Sequence, residues 1–311
     1  MPAQSAPSRF LLLAAFATVY VVWGSTYLAI KYAIASLPPL LMAGSRFVVA
    51  GGILLLVARR AAGYQAPSWQ QWRTALVVGA LLLVGGNGLV VLAERTLSSG
   101  LAALLVASEP FSVVLLGWWW LRQARPSGRV LLGLLLGFGG VYLLVARQLH
   151  AGAAPGQLLG AGLVLVAAFS WAAGSIYGLR APAAKSPVLA SGMQMLCGGV
   201  LLLALGTVLG EWRGFEPARV TLASWLGWGY LVVFGSLAAF TAYSWLLQHA
   251  PPARVATYAY VNPVVAVLLG WALLGEQLNT YMLLGAVVII GAVVLITGGK
   301  AAEEPQAPEE A

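Results

Sequence analysis

Glu109-Pro110-Phe111-Ser112-Val113-Val114-Leu115-Leu116-Gly117-Trp118 returns in outline 153 positions later as Asn262-Pro263-Val264-Val265-Ala266-Val267-Leu268-Leu269-Gly270-Trp271. The proline opens both stretches in the same register and the Gly-Trp pair closes both. Working outward, Leu132-Gly133 and Gly139 fall on Leu284-Gly285 and Gly291 at an offset of 152. Gly24-Ser25 and Tyr27 fall on Gly174-Ser175 and Tyr177 at an offset of 150. Trp72 and Trp225 open corresponding segments, and Gly51-Gly52 corresponds to Gly198-Gly199. One match in so Gly/Leu-rich a chain means little. Five in the same order at nearly one offset mark an internal repeat.

Composition fixes the solvent of that repeat. Of 311 residues, 60% are hydrophobic and only 8% charged, with no Asp at all. A soluble domain carries roughly 25% charged residues, so no water-facing shell can be assembled. No Asp, Glu, Lys or Arg occurs in 10–30, 74–93, 130–146, 148–179, 186–210 or 220–253. A helix needs about 20 apolar residues to cross the hydrocarbon. Ten spans are expected, at about 10–35, 40–58, 72–93, 98–121, 127–145, 157–179, 187–210, 222–248, 252–274 and 280–297. The first is too long for the core of a signal peptide and is read as a retained helix. The fold class is therefore an all-α polytopic membrane protein of ten transmembrane helices in two five-helix repeats. Repeats at 10–146 and 157–299 flank a 147–156 connector. A cytoplasmic segment 1–9 precedes them and a disordered Ala/Pro/Glu-rich cytoplasmic tail 300–311 follows. Five spans per half place the second half upside down relative to the first, the inverted arrangement that carriers use.

Loop charges orient the chain. With the N-terminus inside, eleven Lys/Arg fall on that side and five (Lys31, Arg95, Arg147, Arg213, Arg219) on the other. Basic residues favour the cytoplasmic face, so both termini are expected there. The net charge of +8 reflects this bias. It lacks the clustered basic face with interleaved aromatics that nucleic-acid binding needs. Cys197 is the single cysteine, which excludes an intramolecular disulfide or a thiolate metal cluster.

Three stretches carry a family resemblance: Val22-Trp23-Gly24-Ser25-Thr26-Tyr27, Gly44-Ser45-Arg46-Phe47, and 258–270, which reads Tyr-Ala-Tyr-Val-Asn-Pro-Val-Val-Ala-Val-Leu-Leu-Gly. With Gly275-Glu276, they resemble the EamA branch of the drug/metabolite transporter superfamily over about 10–299, and most closely its YedA-like exporters. That resemblance implies a ten-helix bacterial inner-membrane exporter of metabolites, amino acids or drug-like compounds. Glu109 departs from the uncharged residue usual in the branch.

Candidate working residues follow from the cost of polarity in lipid. An ionisable group inside the bilayer normally faces protein or a water-filled cavity. Arg46 and Glu109 lie mid-span and admit two readings. One is a charge pair bordering a cavity, with Glu109 holding a cationic solute or a proton. The other is a structural ion pair joining two helices. Pro110 and Pro263 each free a carbonyl one turn back, which suits a gate or a static kink. Asn262 is placed to contact solute or to cap the broken turn, and Asn87 to contact solute or bond a neighbouring helix. Among aromatics within spans, Trp23, Tyr27, Trp171, Tyr177 and Tyr258 are candidate cavity walls. Tyr243 and Tyr260 belong to the same set, although Tyr258 and Tyr260 cannot share a face. Trp118, Trp119 and Trp120 read as an interfacial anchor. His150 and His249 are the only histidines, and no catalytic or phosphate-cradling motif is present. No cofactor, metal or enzymatic activity is expected. The expected partners are a small-molecule substrate and the lipid bilayer. A channel-like facilitator is the alternative to a carrier, with a membrane-embedded enzyme or scaffold behind it.

The orientation is testable. In a Cys197→Ala background, Ser5→Cys and Ala302→Cys should both resist a membrane-impermeant maleimide in intact cells. Both should react after lysis. Labelling of one end only would require an odd number of crossings.

Overall fold

The computed structural model describes residues 8–120, 122, 125–150, 156–250, 255 and 258–297, and every regular element among them is helical. Helix α1 spans Arg9–Ile34, α2 Pro39–Arg60 and α3 Trp69–Ala93. Helix α4 covers Ser99–Val106 and Glu109–Trp119 around a turn, and α5 covers Gly128–His150. Helix α6 spans Gln157–Arg180 and α7 Pro187–Val208. Helix α8 runs Leu222–Tyr230, Leu231–Ala238 and Ala239–His249 without interruption. Helices α9 and α10 occupy Tyr258–Leu274 and Thr280–Thr297. Seven helical stretches among the described residues are long and apolar enough to cross a membrane, and Gly128–Leu143, Val261–Leu274 and Thr280–Leu295 are shorter apolar stretches.

Local chemistry sets the ends. Ser68 accepts from Gln71 N while the Gln71 side chain accepts from Ser68 N, a reciprocal cap that starts α3. Ser98, Ser186 and Thr221 cap α4, α7 and α8, each hydroxyl accepting from the main-chain N–H three residues on. Pro39 and Pro187 sit in the first turns of α2 and α7, where no N–H is missed. Helix α5 continues to His150, through residues 147–150 expected in the connector. Trp118, Trp119 and Trp120 end α4 exposed, as an interfacial anchor would be.

Packing between the halves is closest where glycines meet. A Cβ on Gly44 would lie 2.9 Å from Gly199 O, and one on Gly199 would lie 2.9 Å from Gly44 O. One turn pair further on, a Cβ on Gly51 would lie 2.7 Å from Leu196 N and 2.9 Å from Gly192 O. Helices α2 and α7 therefore touch backbone to backbone along 44/199 and 51/192. Adjacent Gly198 faces the other way, where a Cβ would meet Gly79 O of α3 at 2.8 Å. Small residues allow this approach in lipid, where dispersion and not water exclusion holds helices together. Extensive contacts between the halves also join α5 to α10, α3 to α6 and α1 to α8, so second pairs with second, fifth with fifth, and the first helix of each half with the third of the other.

At one end the halves are also joined by polar contacts. Gly210 (φ 78°) and Gly275 (φ 65°) turn the chain after α7 and α9. Each delivers the following glutamate to a helix start in the first half. Glu211 Oε2 accepts from Leu40 N (2.9 Å) and Leu41 N (3.0 Å) of α2. Glu276 accepts from Ser99 N (2.7 Å), Ser99 Oγ (2.9 Å) and Gly100 N (3.2 Å) of α4. A carboxylate on free N–H groups at a helix N-terminus is favourable in both charge and hydrogen bonding.

Neighbouring glycines Gly51 and Gly52 give a matched test. Alanine raises helix propensity at both by about 1 kcal/mol, but only position 51 meets backbone; position 52 has nothing within 4 Å. Gly51→Ala should lower the melting temperature of the detergent-purified protein, with a cost of about 1–3 kcal/mol from overpacking. Gly52→Ala should leave it unchanged or raised.

Candidate functional site

The helices of both halves enclose a cavity in their middle. It is lined from α1 by Trp23, Thr26, Tyr27 and Ile30, from α2 by Arg46 and Phe47, and from α3 by Leu83, Gly86, Asn87 and Val90. Val106 and Glu109 of α4, Ala167, Ala168 and Trp171 of α6, Gly235 and Phe240 of α8, and Tyr258 and Asn262 of α9 complete it. The space open to water centres is about 110 Å³. One water takes roughly 10–15 Å³ on that measure, so the cavity suits a small solute.

Irregular backbone shapes this space. Helix α3 carries a π-helical stretch at Ala80–Gly88, and α8 carries one at Leu231–Ala238, at corresponding places in the two halves. A third, Val19–Trp23, lies in α1. Each widens the turn and loosens main-chain carbonyls beside the cavity, a device common at functional positions. Gly235 O, in the α8 stretch, accepts from Trp23 Nε1 at 3.2 Å. Gly86, in the α3 stretch, lets Trp171 of α6 approach: a Cβ there would lie 2.8 Å from the indole.

Trp23 is the hub of the aromatic wall. Its ring stands 5.0 Å from Tyr243, 5.2 Å from Tyr258, 6.1 Å from Phe240 and 6.5 Å from Trp171 between centroids. Three of these pairs are edge-to-face, the arrangement that the ring quadrupoles favour. The wall thus joins α1, α6, α8 and α9 with one tryptophan.

The charged groups are separate. No ion pair joins Arg46 to Glu109; among the described residues the one salt bridge is the exposed Arg219–Glu216 contact. Glu109, half-buried at the cavity, accepts from Tyr258 OH at 3.3 Å. Arg46 is 4% exposed and donates from Nη2 to Asn87 Oδ1 at 3.1 Å. Its Cζ lies 4.2 Å from the Phe47 ring centroid, a cation–π contact. Its Nε and Nη1 have no hydrogen-bond partner.

Of the residues singled out in sequence, Arg46, Asn87, Glu109, Asn262, Trp23, Tyr27, Trp171 and Tyr258 line this one cavity. Tyr177 does not. It packs half-buried against a core cluster drawn from α1, α2, α3, α7 and α8, because the turn from Trp171 to Tyr177 carries it round to another face of α6. Tyr243 backs the wall through Trp23 and Tyr258. The side chain of Tyr260 lies outside the described residues. Asn87 holds an interhelical bond and faces the cavity at once. Asn262 is 7% exposed; with its amide turned to suit its neighbours, Nδ2 donates to Tyr258 O at 3.3 Å and Tyr20 O at 3.1 Å. It therefore caps the loosened turn before Pro263 and ties α9 to α1.

The two prolines act differently despite matched positions. Pro263 lies inside continuous α9. In α4 the break falls earlier, at Ala107–Ser108, and Pro110 occupies the first turn of the new segment. Helix α4 thus restarts in mid-span with Glu109 in its first turn, where the helix dipole favours an acid.

Two features escaped the sequence reading. Phe240 and Phe47 line the cavity but look like any lipid-phase phenylalanine. Glu94, next to Arg95 at the end of α3, reads as interfacial but is 0% exposed, with both carboxylate oxygens lacking a hydrogen-bond partner. Lys31 Nζ donates to its main-chain oxygen. Only the fold brings these groups together.

The EamA-like transporter family model matches twice, over residues 10–146 and 158–298. The "uncharacterized inner membrane transporter YedA" of Escherichia coli (strain K12) is 39% identical over 290 residues, covering 93% of this chain and 91% of that protein. "Protein PecM" of Dickeya dadantii (strain 3937) is 30% identical, covering 88% of each chain. The "uncharacterized transporter YvbV" of Bacillus subtilis (strain 168) is 26% identical over 98% of this chain and 96% of its own. One solved crystal structure shares the fold at a TM-score of 0.62 and 20% identity, covering 93% of this chain and 98% of that one. With both halves matched separately and the relatives aligned nearly end to end, the chain belongs to the EamA-like transporter family and is a YedA-like membrane transporter.

Proposed function

We propose that this protein is a carrier that moves a small solute, in the export direction, across the bacterial inner membrane by alternating access. The observation that supports this reading most is the cavity itself. It is central, is built from α1 to α4 of one half and α6, α8 and α9 of the other, and holds an unpaired acid and an unpaired base facing one space. A purely structural ion pair would have closed Arg46 on Glu109. Keeping two buried charges apart is costly unless a ligand or water meets them.

Ten crossings in two inverted halves supply the motion, since two unequal conformations of related halves exchange roles between the faces of the membrane. The glycine contacts along α2 and α7 provide a surface on which the halves rock without large side chains interlocking. The aromatic wall around Trp23 accepts an apolar body, and Glu109, held by Tyr258, takes a cationic group or a proton. Pro263 and the Ala107–Ser108 break supply points where α9 and α4 bend. Both termini lie in the cytoplasm.

Counterflow in liposomes tests the carrier reading. Vesicles preloaded with unlabelled solute should accumulate labelled solute transiently, whereas a channel only equilibrates it. Where Glu109 couples a proton to transport, Glu109→Gln should abolish pH-driven accumulation and preserve exchange. Unchanged pH dependence in that variant removes Glu109 from the coupling.

A further inference from the structure

We infer that Arg46 is a receptor for a carboxylate on the transported solute. This deepens the proposed carrier reading and rests on it. Arg46 is more than nine-tenths buried, lines the cavity, and leaves Nε and Nη1 without partners. A guanidinium stays charged in a protein, and unmet donors on it cost far more than those of a neutral group. Its position is set from behind: Nη2 is fixed on Asn87 and the plane rests against Phe47. A pre-positioned guanidinium that lines an aromatic-walled space and has N–H groups unmet is suited to a charge-assisted bond from an oxyanion.

The surrounding charges select a single negative charge. Lys31 Nζ is engaged by the Glu94 carbonyl, and the Glu276 carboxylate by the start of α4. Both Glu94 carboxylate oxygens are without a hydrogen-bond partner, and Glu94 makes no salt bridge or hydrogen bond with Arg46. Arg46 is thus the one cationic group of the cavity lining with donors to spare. One such group compensates a monoanionic carboxylate, whereas a phosphate dianion would remain half unneutralised.

The test is titration calorimetry on the full chain in detergent, with three probes sharing one apolar body: 3-phenylpropionate, phenylalanine and 2-phenylethylamine. The first two should bind, and Arg46→Gln should weaken both by about tenfold or more, with 2-phenylethylamine changed much less. Arg46→Lys, which keeps the charge but loses the guanidinium fork, should weaken both carboxylates by less than Arg46→Gln and stands as the test if Arg46→Gln does not fold. Equal weakening of all three probes, insensitivity of the carboxylates to both variants, no carboxylate binding at all, or inorganic phosphate competing as well as the carboxylates would overturn the assignment. Counterflow that persists unchanged in Arg46→Gln sinks this inference but leaves the carrier reading. Arg46-dependent binding without counterflow does the reverse.

Discussion

Two helices touch backbone to backbone only where no Cβ stands between them, and the rest of this structure depends on that contact between α2 and α7. Gly44 meets Gly199 and Gly51 meets Gly192. Gly198, one residue along, opens the next face of α7 to α3. In hydrocarbon there is no water to expel, so closeness itself supplies the attraction. With these helices drawn together, bulkier side chains elsewhere keep their neighbours apart. Trp23, Phe240, Trp171 and Tyr258 then stand around a space they do not fill.

The site inherits its character from that geometry. Three π-helical stretches border the cavity, and Trp23 bonds a carbonyl in one of them. Helix α4 stops and restarts beside it. Backbone this irregular survives inside a membrane only where protein or a water-lined space meets its polar groups. Arg46 and Glu109 are tolerated for the same reason, each braced by a neutral partner, Asn87 and Tyr258.

Much of this was legible in the sequence, and what was not shares a cause. Repeats and charge gaps are local or periodic, so the two halves and their membrane solvent read directly. Arg46, Glu109, Asn87 and Asn262 stood out because polarity in an apolar run is rare. Tyr177 misled because helix rotation, which sequence does not fix in so uniformly apolar a helix, turns it into the core. Glu94 was passed over because an acid at a span's end is ordinary until Lys31 and Arg46 arrive from other helices. The π stretches have no residue signature at all, and Pro110 drew attention two residues past the actual break in α4.

The glutamates that follow Gly210 and Gly275 carry one more implication. Both come from the second half and both seat on helix starts of the first, near the place where Lys31 reaches Glu94. Parting the molecule along that rim strands two carboxylates and the main-chain amides of Leu40, Leu41, Ser99 and Gly100 together. Each needs solvent the moment it is freed. Wetting of the rim is therefore the toll on opening there, and the local supply of water, more than any side-chain clash, sets how readily that face of the protein is exposed.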